Sequence, residues 1–386
     1  MKNILVVITN FRHGGTNKSL ENLLSVIDKE HYCVDIFGME HFGPYQTILK
    51  GCNILPKNKW IHGLISHLCD NRGLDKIFSF SVKLVQKIAI KLNHNFIQFL
   101  FNKVSSNIIN SNNYDAIIAY SEGVPTSFLS SVKHKNKIAW VHCDYSSYLK
   151  INNFPNENEI YNSYKSIVCV SNYTKKEFLK NINISKDRVH YLHNILNTVE
   201  IIRNSKEIIN DERFDNKSFT IISVGRIDIV KNFNIIPKIV SELKEDNIDF
   251  KWYLIGPKGT EKIQNDLIYK IRKFNVEENF IWLNSKTNPY KYIIKSNLLV
   301  MTSKSEACPY VLNEAKILNV PVITTNYGSA SEFIRNNVDG IITNEEQLKD
   351  KIKLLIINPK RLEEIKNSSF VYDNNNILKQ FYKLIS

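Results

Sequence analysis

The sequence predicts an α/β protein built from two domains, each with a doubly wound parallel sheet. Short continuous apolar runs alternate with segments whose apolar residues recur at helical spacing, which is typical of parallel strands covered by helices on both faces. A chain of 386 residues is also long for a single hydrophobic core. The polar stretch 197–218 shows no regular apolar period, so we predict a linker there, between a first domain at 1–196 and a second at 219–373.

The composition describes a globular protein with a basic charge balance. Hydrophobic residues make up 43% of the chain and charged residues 23%, which excludes a disordered or fibrous protein. The formal charge of +13 favours a polyanionic neighbour. A nucleotide diphosphate, an anionic membrane face and a nucleic acid all fit that charge, so it does not distinguish among them.

Cysteine spacing and the lengths of the apolar runs indicate the compartment. The six cysteines form no C-x-x-C pair and no metal-like spacing with histidine, so we interpret them as buried thiols in a reducing compartment. Only five apolar residues follow Met1-Lys2-Asn3, too few for the apolar region of a signal peptide. No later run is long enough to span a bilayer. We therefore expect a cytoplasmic protein.

The first strand is predicted at residues 4–8, and a polar loop containing Gly14 and Gly15 leads from it into a helix. Paired glycines between a strand and the start of a helix let backbone N–H groups approach a phosphate. The spacing is not G-x-G-x-x-G, so the fingerprint of dinucleotide binding is absent. An ordinary tight turn is the alternative interpretation.

Residues 57–103 form a basic segment with apolar residues at helical spacing. Four apolar residues share one side, with three lysines beside them: Ile77, Leu84, Ile88 and Leu92, and Lys83, Lys87 and Lys91. This pattern fits a helix lying on an anionic membrane surface. It fits equally a core helix with a solvated lysine face. The sequence leaves both interpretations open.

Residues 114–120 and 138–141 are further predicted strands, and the second leads into His142 within the sequence WVHCD. A histidine at the carboxyl end of a parallel strand faces the edge where ligands bind, and a neutral imidazole can hydrogen-bond a sugar hydroxyl. A single histidine is more often structural. Asp144, two residues later, either acts on an acceptor or caps the following helix.

The second domain is predicted to open with a strand at 219–224, directly before Arg226. Lys231 follows five residues later. Two cations at this separation can reach one diphosphate, with the arginine forking across oxygens and the lysine acting as a point charge. A surface arginine and lysine on a loop are the alternative.

Residues 296–334 contain the densest pattern in the chain. A buried strand at 298–301 is followed by polar residues, which places Glu306 at the carboxyl end of a strand. Pro309 marks the start of a helix, so Glu314 lies about one turn inside it on the same side of the sheet. The residues 320–323 form a second short strand, and Gly328 follows in a loop.

The remaining elements follow from the same periodicities. Further strands are predicted at 32–37, 166–170, 250–255 and 279–283, and helices at 173–180, 235–243, 267–274, 345–357, 361–366 and 374–385.

Together these segments resemble the retaining glycosyltransferases of family four, which have the GT-B fold. The resemblance is carried by SVGRI at 223–227 with Lys231, WYLIGP at 252–257, the glutamate pair, NVPVITT at 319–325 and the turn from Gly328 to Glu332. It implies two Rossmann-like domains facing a central cleft, with the last helix, 374–386, packed back on the first domain. Asn284-Ser285 departs from the family, which commonly has a glycine turn there that meets the base.

The resemblance also implies roles for individual residues. Arg226 and Lys231 would stabilise the leaving diphosphate, Glu306 would contact hydroxyls of the donor sugar, and Glu314 would hold the ribose. We therefore expect the catalytic residues Arg226, Lys231 and Glu306, and the donor-binding residues Gly14, Gly15, His142, Pro309, Tyr310, Val311, Leu312 and Glu314. No D-x-D signature lies in a suitable loop, so no metal and no other cofactor is expected.

The implied activity is metal-independent transfer of a hexose from a nucleotide sugar, by family frequency a UDP-sugar, with retention of configuration. The segments WVHCD and YSEGVP at 120–125 look most similar to bacterial enzymes that build capsule, exopolysaccharide or lipopolysaccharide on a glycan or lipid-linked acceptor. Such an acceptor would give the basic segment 57–103 a role at the inner face of the membrane. The alternatives are a UDP-sugar epimerase of the same fold and a non-enzymatic basic protein that binds nucleic acid or membrane; no recognised nucleic-acid motif is present.

Overall fold

The computed structural model describes residues 1–49, 51–91, 95–152, 156–368 and 372–386. The chain forms two compact units, one made of residues 1–195 and 374–386 and the other of residues 196–373. In each unit a parallel sheet lies among helices.

The strands and helices are numbered in chain order. The strands are β1 (Lys2–Asn10), β2 (Tyr32–Glu40), β3 (Asn53–Ile54), β4 (Ala116–Ala119), β5 (Lys137–Val141), β6 (Ser166–Cys169), β7 (Val189–Tyr191), β8 (Phe219–Val224), β9 (Phe250–Ile255), β10 (Phe280–Trp282), β11 (Leu298–Met301), β12 (Val322–Thr325) and β13 (Ile341–Thr343). The helices are α1 (Gly15–Val26), α2 (Tyr45–Ile48), α3 (Lys59–Ile65), α4 (Gly73–Lys91), α5 (Phe96–Asn110), α6 (Val124–Ser130), α7 (Tyr145–Ile151), α8 (Glu157–Asn162), α9 (Asn172–Asn181), α10 (Thr198–Ser205), α11 (Ile236–Glu245), α12 (Glu261–Lys273), α13 (Tyr290–Ile293), α14 (Tyr310–Ile317), α15 (Ala330–Phe333), α16 (Leu348–Ile357), α17 (Pro359–Lys366) and α18 (Asn374–Ile385).

The sheet of the first unit has the strand order β3-β2-β1-β4-β5-β6-β7 among the described residues, and all its pairs are parallel. Ile4 of β1 lies opposite Val34 of β2 on one side and Ala116 of β4 on the other. Since the order reverses between β1 and β4, the carboxyl ends of these two strands flank the switch point, where parallel sheets bind ligands.

The C-terminal helix α18 packs on the first unit. The hydroxyl of Tyr382 accepts a hydrogen bond from the backbone N–H of Asp28 at 2.9 Å, and its ring stacks on Tyr32 with centroids 4.8 Å apart. Phe381 is buried and lies 6.1 Å from the ring of Trp140. This last segment of the chain therefore shares the core of the unit that the first 195 residues form.

The second sheet has the order β10-β9-β8-β11-β12-β13 in the described part of the chain, again with parallel pairs. Its switch point lies between β8 and β11, where Ile221 is opposite Leu298. The loops that follow β8 and β11 therefore emerge side by side at the carboxyl edge. These are the loops that carry Arg226, Lys231 and Glu306.

The segment predicted as a linker, 197–218, is partly helical. Asn197 caps α10 by accepting from the backbone N–H of Glu200 at 3.1 Å, and its side-chain amide donates back to the Glu200 carboxylate at 3.1 Å. Ile201 of α10 is 2% exposed and packs in the same core cluster as Leu312. Residues 198–205 therefore fold with the second unit, because the buried Ile201 anchors the helix there. The helix was not predicted because it is too short to show an apolar period.

Helix α4 corrects one of the two interpretations of the basic segment. Ile77, Leu84 and Ile88 are 66%, 49% and 50% exposed, whereas Ser79 and Val82 are the buried residues of this helix. The alternative of a core helix with these apolar residues inside is therefore wrong; Leu92 lies outside the described residues. None of the helices that the structure describes is long and apolar enough to span a membrane.

Candidate functional site

The loop after β8 is held by close backbone packing. The backbone N–H of Gly225 donates to the carbonyl of Ile255 at 2.9 Å. A Cβ atom placed on Gly256 would lie 1.7 Å from the carbonyl oxygen of Gly225, so position 256 requires glycine. The glycine turn after β9 therefore fixes where the chain leaves β8 and where Arg226 begins.

Asp228 organises the two predicted cations. One of its oxygens accepts from Nε of Arg226 at 2.9 Å, and the other accepts from the backbone N–H of Lys231 at 2.8 Å. The Arg226 side chain is 65% exposed, whereas that of Lys231 is 24% exposed. The loop thus presents an arginine to solvent and draws the lysine inward.

Lys231 meets Glu306 across the switch point. Nζ of Lys231 lies 2.5 Å from Oε1 of Glu306, and the hydroxyl of Ser303 donates to the same oxygen at 2.7 Å. The hydroxyl of Thr302 donates to the carbonyl of Lys231 at 2.7 Å, which ties the two loops together. Ser329 holds the Glu306 backbone by donating to its carbonyl at 2.7 Å. The structure therefore brings a cation and a carboxylate predicted to be catalytic into direct contact.

Glu314 lies in a different environment from Glu306. It sits within α14, is 6% exposed, and accepts at Oε1 from the hydroxyl of Tyr290 at 3.1 Å. A carboxylate this deeply buried is stabilised by hydrogen-bond donors rather than by water. The second glutamate of the pair is thus built into the unit's interior, next to a tyrosine that sequence reasoning did not find.

The start of α14 offers backbone donors. Pro309 is its N-cap residue with extended backbone, and it has no N–H to give. Leu312 is fully buried in the core, so only its backbone could reach a ligand. The N–H groups of Tyr310, Val311 and Leu312 belong to the first helical turn, at the positive end of the helix dipole.

In the first unit, Gly14 and Gly15 are exposed at the amino end of α1. No heavy atom lies within 4 Å of a Cβ built on either glycine, so space is open around both. Gly14 is the N-cap residue and no side chain caps the helix. The loop follows β1 at the switch point of this sheet, as an anion site requires.

His142 follows β5 and lies against aromatic rings. Its ring centroid is 5.0 Å from that of Tyr120, and its backbone N–H donates to the Glu122 carboxylate at 2.9 Å. Burial lowers the pKa of His142 to about 3, so the ring is neutral near pH 7. Its Nε2 atom is buried and has no hydrogen-bond partner among the described residues. A buried ring nitrogen of this kind is available to a ligand.

Asp144 has the role of a helix cap. Its Oδ1 atom accepts from the backbone N–H of Ser147 at 3.2 Å at the start of α7, and Oδ2 accepts from the hydroxyl of Tyr173 at 3.1 Å. The capping interpretation of Asp144 is therefore the one that the structure supports.

The structure brings Arg226, Lys231 and Glu306 together through Asp228 and one ion pair. Asp228 was missed by sequence reasoning, although an aspartate that accepts from the N–H three residues later has the spacing of a helix N-cap. Ser303 and Tyr290 carried no signal in the sequence. Within the described ranges, no three or more His, Cys, Asp or Glu residues gather into a group that could hold a metal ion. Independence from metal stays a prediction.

Residues 204–370 match the family model described as glycosyl transferases group 1. This part of the chain, which carries Arg226, Lys231 and Glu306, belongs to that family. The chain is 26% identical over 198 residues to the Campylobacter jejuni N-acetylgalactosamine-N,N'-diacetylbacillosaminyl-diphospho-undecaprenol 4-alpha-N-acetylgalactosaminyltransferase, covering 50% of this chain and 51% of that protein. It is 31% identical over 113 residues to the amylovoran biosynthesis glycosyltransferase AmsD of Erwinia amylovora, covering 29% and 31%. The chain spans about half the length of the first of these relatives and about a third of the second.

Solved structures show the fold of the whole chain. The crystal structure of Anabaena HepE in complex with UDP superposes with a TM-score of 0.71 over 99% of both chains, at 14% sequence identity. Together with the two parallel sheets, this similarity shows the GT-B fold that the sequence motifs imply.

Proposed function

We propose that this protein is a glycosyltransferase that moves a sugar from a nucleotide-sugar donor to an acceptor hydroxyl with retention of configuration. The observation that carries the proposal is the Lys231–Glu306 pair at the switch point of the second sheet, with Arg226 fixed on the same loop. The group 1 match over residues 204–370 supports it.

The chemistry explains why cations stand there. The bond between the anomeric carbon and the diphosphate oxygen breaks, and its electron pair stays on the leaving nucleoside diphosphate. The acceptor oxygen forms the new bond to the same carbon and loses its proton. Because negative charge grows on the leaving group, fixed positive charge near it lowers the barrier more than any other contribution. Lys231 and Arg226 are proposed to provide that charge, with the N–H groups of 310–312.

Glu306 is proposed to serve both the lysine and the donor sugar. Lys231 and Ser303 both bond its Oε1 atom, so Oε2 is the oxygen we assign to hydroxyls of the sugar. Glu314 is proposed to accept from the ribose hydroxyls, since a carboxylate suits two vicinal donors. Tyr290 would keep that carboxylate in place through its hydrogen bond to Oε1.

In the first unit, Gly14, Gly15 and His142 are proposed as donor-binding residues, because the N–H groups at the two glycines suit a phosphate and Nε2 of His142 suits a sugar hydroxyl. The neutral ring of His142 can donate or accept there, according to its tautomer. UDP is the proposed nucleotide, because Anabaena HepE, which shares the fold, was crystallised with UDP. A growing glycan or a lipid-linked oligosaccharide of a bacterial surface polysaccharide is the proposed acceptor, in keeping with the names of the Campylobacter and Erwinia relatives.

The experiment is a thermal-shift panel of UDP, GDP, ADP and their sugars, with EDTA present. A ligand that binds only the folded state raises the melting temperature by mass action. We expect one nucleotide to stabilise the protein selectively, and Lys231→Ala to lose the shift while Lys238→Ala keeps it. Lys238 is the matched control because it lies in the same unit and is 68% exposed. Absence of any shift in the parent protein would contradict the proposal.

A product assay then separates the proposal from the epimerase alternative. The protein is incubated with the UDP-sugar that stabilises it, and the nucleotides are resolved by chromatography. Release of free UDP, accelerated by an added acceptor glycan, supports transfer. Formation of an epimeric UDP-sugar without release of UDP would instead identify an epimerase.

A further inference from the structure

Helix α4 presents an apolar face to solvent. We call this the α4 outer face and define it by six exposed residues: Leu74, Ile77, Phe80, Leu84, Val85 and Ile88, which are 83%, 66%, 58%, 49%, 43% and 50% exposed. Their spacing of three or four residues, with Val85 beside Leu84, places them along one side of the helix. A contiguous apolar surface of this length on a folded protein marks a contact with something else.

A neighbouring side of α4 packs within the protein, and Ser79 and Val82 are its buried residues. Phe78 packs edge-on against Trp60 of α3, with ring centroids 5.2 Å apart. Gly63 of α3 allows a close approach, since a Cβ there would lie 3.3 Å from both Cα of Ser79 and a methyl of Val82. Because α4 already packs on α3 through these contacts, the α4 outer face is not exposed for want of a completed core.

The charges around the α4 outer face are positive. Lys76, Lys87 and Lys91 are exposed on the same helix. The acidic residues nearby are already matched: Asp75 bonds Lys57 at 2.7 Å, and Asp70 bonds Arg12 at 2.5 Å. Exposed lysines flanking an apolar stripe are complementary to a surface that is apolar inside and anionic outside.

We propose that the α4 outer face docks this protein on an anionic lipid bilayer. The helix lies in the plane of the interface, its apolar residues enter the boundary between headgroups and acyl chains, and the lysines contact lipid phosphates. A protein partner would have to cover both the apolar stripe and three lysines, whereas a bilayer supplies both chemistries at the required depth. This docking does not depend on the proposed sugar transfer, since the surface belongs to the first unit alone.

Trp60 makes the docking observable in the native chain. It is 46% exposed next to α4, whereas Trp140 and Trp252 are buried and Trp282 is partly buried in the second unit. Vesicles of phosphatidylcholine with phosphatidylglycerol should shift the tryptophan emission to the blue and sediment the protein, and phosphatidylcholine alone should do neither. The shift should disappear in Trp60→Phe although that variant still sediments.

The variants test the surface directly. Leu84→Gln with Ile88→Gln should weaken vesicle binding at least tenfold, because the apolar stripe supplies the insertion. Lys87→Gln with Lys91→Gln should weaken it about 25-fold, since each lysine near an anionic surface contributes about fivefold. The controls are Ile357→Gln, an apolar residue 62% exposed in the second unit, and Lys238→Gln. Both should bind vesicles like the parent protein.

Several results would overturn the docking. The docking is wrong if the parent protein sediments with neither vesicle, or if the α4 variants bind as tightly as the controls. Light scattering measures the oligomeric state. If the parent protein is a dimer and the double variant Leu84→Gln, Ile88→Gln is a monomer, the α4 outer face is instead an interface between two copies. The substitutions at Leu84, Lys87, Ile88 and Lys91 should leave the melting temperature and the UDP-induced shift unchanged. A failure of nucleotide binding is therefore seen separately from a failure of docking.

Discussion

Removal of the Lys231 ammonium gives the sharpest test of the second unit's site. In Lys231→Ala the Glu306 carboxylate keeps the hydroxyl of Ser303 but loses its ion-pair partner at 2.5 Å. A hydrogen bond to a charged group contributes about 1.5–3 kcal/mol. Because the lysine is 24% exposed and water can replace part of the bond, we expect the free energy of unfolding to fall by about 1–2 kcal/mol.

The loss in catalysis should be larger than the loss in stability. A unit charge about 4 Å from a diphosphate is worth about 4 kcal/mol at the effective dielectric of a protein surface. Removal of one donor from a developing oxyanion costs about 2.7–4 kcal/mol in known enzymes, which is about 100- to 1000-fold in turnover. We therefore expect Lys231→Ala to release nucleoside diphosphate 100- to 1000-fold more slowly, while its melting temperature falls by only a few degrees.

The assay must separate contact with the diphosphate from support of Glu306. Turnover is followed by release of UDP from the donor, and affinity for free UDP, which has no sugar, is measured by calorimetry. Lys231→Ala should weaken UDP binding, whereas Glu306→Gln should lower turnover and leave UDP affinity nearly unchanged. Turnover of Lys231→Ala within threefold of the parent, or equal UDP affinities in the two variants, would refute the reasoning.

Three further changes test other parts of the structure. Glu314→Gln should weaken UDP affinity about 10- to 100-fold, the value of a charged hydrogen bond, and unchanged calorimetry would remove the ribose role. Burial lowers the pKa of His142 to about 3 from the ordinary 6.5, so the unfolded chain binds a proton first as pH falls below 6.5. His142→Gln should therefore make the free energy of unfolding fall less steeply as the pH drops below 6.5, by at most about 1.4 kcal/mol per pH unit. An NMR titration of the His142 ring near pH 6.5 in the folded protein would contradict this. Gly256→Ala should destabilise by about 3 kcal/mol, because its Cβ would overlap the Gly225 carbonyl, whereas Gly14→Ala should melt like the parent.

Strand positions follow from the sequence because parallel strands must be apolar on both faces. The residues predicted at 219–224 and 250–255 are β8 and β9 as the structure has them. The strand predicted at 320–323 begins two residues later, at Val322, since Pro321 has no N–H for the ladder. Strands such as β3 and β13 were not predicted, because two or three residues are too few to show a period.

Site residues follow from the sequence where the strand end itself locates them. Glu306 and Lys231 lie after β11 and β8, and the switch between those strands makes them neighbours. Ser303 and Tyr290 could not be found in this way, because their bonds to the glutamates depend on side-chain geometry. Asn284 stands where the related family commonly has glycine. Its φ of 63° is the left-handed conformation that glycine adopts easily, and asparagine adopts it more readily than most other residues.

Helix α4 shows what periodicity leaves undetermined. Apolar residues at helical spacing establish that a helix has two unlike faces, and the same pattern fits burial in a core or contact with another apolar phase. The choice depends on which side finds a partner, and here Gly63 and Trp60 of α3 take the side with Ser79 and Val82. A helix that buries a serine and exposes leucine and isoleucine lowers the solubility of the protein when nothing covers it. That arrangement persists most simply if the apolar side has a partner outside the chain, which is the bilayer that the adjacent lysines favour.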